Sequence, residues 1–116
     1  METVLVTGFN GFIGSHLIPQ LIQKYNVVGL STSKNSQLKI SQIKTDITKI
    51  DKKILPSKIS KIIHLAAISD VDFCQKNPLD ASHINILGTQ KILELARKHD
   101  SQVVFISTSH VFGSQK

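Results

Sequence analysis

Three glycines stand three apart near the start of the chain: Gly8, Gly11 and Gly14 in "VTGFNGFIGSHL". They follow a short, β-branched apolar run and open a stretch with helical periodicity. In that setting each missing side chain has a use. Gly8 permits a tight turn in a backbone conformation that side chains hinder. Gly11 lets a ligand approach the backbone at the first helical turn, and Gly14 lets the helix lie close to the strand. The free N–H groups of a helix start, with the positive end of its dipole, suit a pyrophosphate. The gap is therefore shaped for a dinucleotide. Its G-x-x-G-x-x-G spacing differs from the commoner G-x-G-x-x-G.

Other chemistry is poorly represented. Cys74 is the single cysteine, so there is no disulfide framework and no zinc pattern. His16, His64, His83, His99 and His110 show no ligand spacing, and no metal site is expected. Eight of the 14 Lys and Arg residues lie between Lys34 and Lys61. That stretch holds no aromatic residue to stack on bases and no arginine to grip guanine, so a solvated lysine-rich surface is expected rather than a nucleic-acid interface. No apolar run reaches the roughly 18 residues of a membrane span, and the N-terminus lacks the basic flank of a signal peptide. The expectation is a soluble cytoplasmic protein with no membrane partner.

The elements that must position the glycines can be read in order. Thr3 to Thr7 reads as a buried strand stopped by Gly8, and Gly11 to Lys24 as a helix. Ile13, Leu17 and Leu21 form one stripe of that helix, with Ile18 and Ile22 beside it, and Pro19 should bend it. Asn26 to Leu30 is a second strand, and Ser31 to Gln37 a polar stretch. Leu38 to Thr45 reads as a third strand, Ile47 to Leu55 as a weak helical segment, and Lys61 to Leu65 as a fourth strand. Pro78 to His99 is the strongest helix, with Asn77 as its cap, Asp80 near its positive end and Ile84, Leu87, Ile92, Leu95 and Ala96 on its apolar face. Gln102 to Ile106 is a fifth strand. Strands alternating with helices, and strands apolar at consecutive positions, imply a parallel sheet covered on both faces. The fold expected is a doubly wound α/β Rossmann sheet in the order 3-2-1-4-5.

"TGFNGFIGSHL" with "TDIT" (Thr45 to Thr48), "IIHLAAISDVDFC" (Ile62 to Cys74), "NILGT" (Asn85 to Thr89) and "FISTSHVFG" (Phe105 to Gly113) resembles the extended short-chain dehydrogenase/reductase family. These are NAD(P)-dependent epimerases, dehydratases and reductases of nucleotide-linked sugars. The resemblance implies that Gly8, Gly11, Phe12, Ile13 and Gly14 line the pyrophosphate, and that Asp46 and Ile47 meet the adenine. It places Leu65, Ala66 and Ala67 along the cofactor, and Asn85 behind the site as a structural hydrogen-bonding residue. Thr108 falls where the family has a hydroxyl that bonds the substrate oxygen. Within the family, "SDVDFC" and "ISTSHVF" look most like the dTDP-4-dehydrorhamnose reductase branch, which implies reduction of a 4-keto sugar; an epimerase or dehydratase is the alternative.

Two departures stand out. Many NAD-preferring members carry an acid after the second strand, where this chain has Ser31, with Lys34 nearby. A carboxylate there would repel a 2′-phosphate, so its absence favours NADP(H) over NAD(H). The family's Tyr-x-x-x-Lys pair is also missing, since the only tyrosine is Tyr25, four residues before Gly29. Residues 1–116 are accordingly expected to be the N-terminal, NAD(P)-binding part of a truncated or fragmentary enzyme, whose parent takes a nucleotide-sugar substrate and could form a homodimer. A non-catalytic NAD(P)-binding module is the competing reading. Either way the fifth strand should leave an exposed edge.

Overall fold

The computed structural model describes residues 1–65 and 75–105. Five parallel strands form one sheet in the order β3-β2-β1-β4-β5. They are β1 (Thr3–Thr7), β2 (Asn26–Ser31), β3 (Ser41–Lys44), β4 (Lys61–His64) and β5 (Gln102–Phe105). Two helices are described, α1 (Phe12–Leu21) and α2 (Pro78–His99). The sequence order and the sheet order reverse between β1 and β4, so the ends of these strands border the crevice where ligands of such sheets bind.

The central strands are apolar at consecutive positions because both faces of the sheet are covered. Val4, Val6, Val27 and Ile63 join Phe9 and Ile18 in one core. Leu5, Val28, Leu30 and Ile62 join Ile47, Ile59, Ile92, Leu95 and Ala96 in the other. The alternation along β1 thus assigns α1 to one face and α2 to the other. Register follows: Leu5 pairs with Val28 on one side and with Ile62 on the other.

Several boundaries differ from the sequence reading, each for a local reason. Helix α1 is shorter than Gly11 to Lys24. Gly11 is its N-cap in extended conformation, and the helix runs through Pro19 to end at Leu21. Its buried face centres on Gly14 and Ile18, while Ile13 and Ile22 are exposed. The third strand begins at Ser41 rather than Leu38. The Gln42 side chain accepts from the Asn35 N–H (2.7 Å) and donates to the Asn35 and Leu38 carbonyls (2.7 and 3.1 Å). It so folds the preceding residues into a turn, while Leu38 and Ile40 still pack against the α1-side core. The segment from Ile47 to Leu55 forms two single 3₁₀ turns, Ile47–Lys49 and Lys52–Ile54, capped by the Asp46 and Asp51 side chains.

Asn77 is the N-cap residue of α2, but its side chain makes no capping bond. The buried residues of α2 are Ala81, Gly88, Ile92, Leu95 and Ala96, with Ile84 and Leu87 only partly covered. Seven of the eight lysines between Lys34 and Lys61 are exposed and Lys61 is partly buried, as expected of a solvated surface. Among the described residues β5 pairs with β4 alone, and Val104 and Phe105 stay exposed on it. No helix among the described residues is long and apolar enough to cross a membrane.

Candidate functional site

The glycine turn is built as its residue types require. Gly8 has φ of 66°, the left-handed region that only glycine enters freely. Its N–H donates to the Leu30 carbonyl (2.8 Å), which fastens the turn to the end of β2, and the Gly11 N–H donates to the Gly8 carbonyl (3.1 Å). Among the described residues, a β-carbon on Gly11 would meet only the Gly8 carbonyl oxygen, at 3.5 Å, an ordinary contact. None of the described residues therefore fills the space beside Gly11. Gly14 is the opposite case, buried against the backbone of Phe9.

Among the described residues no side chain caps α1, and its first turn holds no acidic residue. The positive end of this helix is thus left for an outside anion. Phe12 and Ile13 are exposed at that end. Beside it a cleft of about 430 Å³ opens over the carboxyl ends of the strands, within the size range of small-molecule pockets. Gly8 and Gly11 form one wall. Leu30, Ser31 and Thr32 at the end of β2 form a second; Thr45, Asp46 and Ile47 after β3 form a third. Leu65 and Ile84 close the side towards β4 and α2. These features fit a dinucleotide: an uncapped helix start for its diphosphate, a wall without side chains, and a cleft with room for an adenosine.

Of the residues expected from the sequence, the cleft brings together Gly8, Gly11, Ser31, Asp46, Ile47 and Leu65. Gly14 faces the protein interior, and Lys34 is exposed and not among the lining residues. Ala66, Ala67 and Thr108 lie outside the described residues. Asp46 combines two roles. Its Oδ1 accepts from the Thr48 N–H (2.9 Å) and hydroxyl (2.8 Å), capping the 3₁₀ turn, while the residue lines the cleft. These hydrogen bonds hold its carboxyl below the ordinary carboxylate range. Capping the turn and lining the cleft are therefore compatible.

Behind the cleft, Thr7 and His64 form a buried pair. The Thr7 Oγ1 lies 2.7 Å from His64 Nδ1 and accepts from the Leu65 N–H (3.0 Å). The His64 and Phe105 rings meet at nearly a right angle with a centroid distance of 5.6 Å. Burial pushes the imidazole pKa down, favouring the neutral ring. No group of three or more metal-ligating side chains occurs among the described residues.

The model built for the NAD dependent epimerase/dehydratase family matches residues 4–116. The chain belongs to that family. Among curated relatives, a putative UDP-glucose 4-epimerase of Methanocaldococcus jannaschii is 38% identical over 90% of this chain and 37% of its own length. UDP-glucuronic acid decarboxylase 6 of Arabidopsis thaliana is 33% identical over 95% of this chain and 34% of its own length. Among solved structures, MoeE5 in complex with UDP-glucose and NAD is 31% identical, with a TM-score of 0.78 over 92% of this chain and 36% of that one. UDP-N-acetylglucosamine 4-epimerase from Methanobrevibacter ruminantium is 30% identical, with a TM-score of 0.81 over 93% of this chain and 38% of that one. The chain thus spans little more than a third of the length of these family members.

Several residues of the site were not singled out from the sequence. Gly88, inside "NILGT", packs against the cleft residue Ile47, where a β-carbon would stand 2.9 Å from Ile47 Cγ2. Phe9, between two motif glycines, is fully buried with its ring against Gly29, where a β-carbon would lie 2.6 Å away. Asn10 donates from Nδ2 to the Ser33 carbonyl (2.7 Å) and hydroxyl (3.1 Å), tying the glycine turn to the loop after β2. Its Oδ1 is buried without a hydrogen-bond partner, an arrangement that typically costs about 1–3 kcal/mol. An asparagine in a glycine-rich turn is so common that no signal in the sequence marks this one.

Proposed function

We propose that residues 1–116 are the dinucleotide-binding, N-terminal part of a nucleotide-sugar-modifying enzyme of this family. One observation carries the reading: an open, uncapped helix start beside Gly11, continuous with a cleft lined by Ser31 and Asp46. In this role the N–H groups at the start of α1, with Phe12 and Ile13, hold the diphosphate. Asp46 accepts from the adenine amino group through the carboxylate oxygen its turn leaves over, and Ile47 packs on the ring. Leu65 at the end of β4 contacts the rest of the cofactor, a role the resemblance extends to Ala66 and Ala67. Thr108 bonds the reacting sugar oxygen. Bound NAD supplies a hydride acceptor for the sugar carbon.

The named relatives support a UDP-sugar epimerase or decarboxylase over the 4-keto reductase suggested by "SDVDFC" and "ISTSHVF". MoeE5 was solved in complex with NAD. Ser31 carries no charge to repel a 2′-phosphate, which extends the proposal to NADP(H) as an admissible ligand. The Tyr-x-x-x-Lys pair and the sugar-binding part of the enzyme are expected outside residues 1–116.

Titration of the chain with NADH, read by cofactor fluorescence, tests the proposal. Saturable binding is expected, and Gly11→Val should abolish it while leaving the circular dichroism spectrum and Tm intact, because the added side chain enters open space. A folded Gly11→Val chain that binds NADH like the wild type overturns the reading. NADPH in the same titration tests Ser31: affinity within about tenfold of NADH, roughly 1.4 kcal/mol, is expected, and its complete rejection removes NADP(H).

A further inference from the structure

We infer that Asn10 is a positioning residue that sets Ser31 for recognition of the adenosine ribose 2′ group. The inference rests on the cleft being a dinucleotide site. The Asn10 amide nitrogen holds Ser33 twice, through its carbonyl and its hydroxyl. The Ser33 N–H in turn reaches Ser31 Oγ, at 3.4 Å. Asn10 thus connects, through Ser33, to the hydroxyl of Ser31, a residue that lines the cleft. Ser31 Oγ serves as the acceptor in that contact, which leaves its O–H as a donor for the ligand. A donor suits either a 2′-hydroxyl oxygen or a 2′-phosphate, whereas the acid found in many relatives of this fold suits only the hydroxyl.

The orphaned Asn10 Oδ1 supports this reading. Only Nδ2 can donate to the Ser33 carbonyl, so the amide orientation is fixed by the link to Ser33 at the expense of its own oxygen. A side chain selected for packing or stability alone would not hold a buried acceptor without a donor. Such local conflict marks places where a site, not the fold, dictates the residue. Asn10 does not itself line the cleft, and its effect passes through the Ser33 loop.

The test compares NADH with its 2′-deoxyadenosine analogue on the wild-type chain, Asn10→Ala, Asn10→Leu, Ser31→Ala and the Asn10→Ala/Ser31→Ala double variant. Asn10→Leu keeps the side-chain size, removes both N–H donors and adds no charge near the diphosphate. NADH affinity is expected to fall about fivefold in each single variant, the scale of one hydrogen bond. The analogue should bind all of them equally, and the double variant should be no worse than Ser31→Ala. The Tm should stay within a few degrees of the wild type. Equal losses for NADH and the analogue, no loss for either, or unfolding of both Asn10 variants would overturn the inference and leave the dinucleotide site standing. A wild-type chain that binds neither ligand would instead remove the site, and the inference with it.

Discussion

Gly14 lies so close to Phe9 that a β-carbon on it would stand 2.4 Å from the Phe9 carbonyl oxygen and 2.7 Å from its carbonyl and α carbons. The obstacle is backbone, and that backbone leads directly from Gly8 into the turn that carries Asn10. Gly14→Ala should gain about 1 kcal/mol of helix propensity and lose more than that by forcing α1 off the sheet. A net destabilisation of about 2 kcal/mol is expected, since overpacking with little room to relax falls at the upper end of its usual range of about 1–3 kcal/mol. Urea unfolding of the Gly14→Ala and Gly11→Ala chains checks it. Gly11→Ala should unfold near the wild-type midpoint, and equal midpoints for all three would refute the packing role.

Asp46 lets the cap and the ligand roles be separated. Both of its described bonds go to one oxygen. The substitution Asp46→Asn can keep an acceptor there, but it places an amide nitrogen where the second carboxylate oxygen was. Stability should change by less than about 0.5 kcal/mol, as for most exposed substitutions, while NADH affinity falls about fivefold or more through a mismatched donor. Asp46→Ala should lose both the cap, worth about 1 kcal/mol, and the ligand. Calorimetric titration with ADP-ribose, beside thermal unfolding, reads the two effects. An Asp46→Asn chain with unchanged affinity would leave Asp46 as a cap and nothing more.

His64 makes stability depend on pH in a stated direction. Burial lowers its pKa in the folded chain, so the unfolded chain binds a proton first, near the ordinary histidine value of about 6.5. Where the unfolded state holds more protons, stability rises with pH. The contribution is therefore complete above that value and lost as pH falls below it. Asp46, also lowered, acts in a separate window: its contribution is present above the ordinary carboxylate range and is lost only in stronger acid. The wild-type Tm should drop between about pH 7 and pH 5. His64→Gln retains a hydrogen-bonding group for Thr7 and should lower Tm at neutral pH yet flatten that slope. An unchanged slope would place the titrating group elsewhere.

Fold and site were not equally legible in the sequence. Central strands could be read because burial on both faces requires unbroken apolar runs such as Val4 to Val6, and the glycine turn because its backbone geometry demands particular residues. Leu38 to Ile40 misled: Leu38 and Ile40 are apolar and do pack on the core, but Gln42 satisfies the backbone around them as a turn. The α1 face misled in a related way. The stripe of Ile13, Leu17 and Leu21 is right for Leu17 and Leu21, which pack against the core beside buried Ile18. Ile13, however, is exposed, and the closest approach is made at Gly14, whose lack of a side chain is what allows it. Contacts between distant loops, such as Asn10 with Ser33, leave no periodic trace at all.

Gly88 tests how far α2 shapes the cleft. Its absent side chain leaves room for Ile47, which is buried beneath the cleft and also lines it. Gly88→Ala gains about 1 kcal/mol from helix propensity. Against this stands a contact of 2.9 Å with Ile47 Cγ2, which a side chain can relieve by turning, unlike the backbone that opposes Gly14. Repacking of that kind costs about 1–3 kcal/mol, so the net change in stability should be a loss no greater than about 2 kcal/mol. The larger consequence falls on binding, because Ile47 can yield only by shifting within the wall it shares with Asp46. NADH affinity should fall several-fold in Gly88→Ala and recover in Gly88→Ala/Ile47→Ala relative to Ile47→Ala alone. Fluorescence titration of the four chains completes the cycle. Additive losses would show that Gly88 acts on α2 without reaching the cleft.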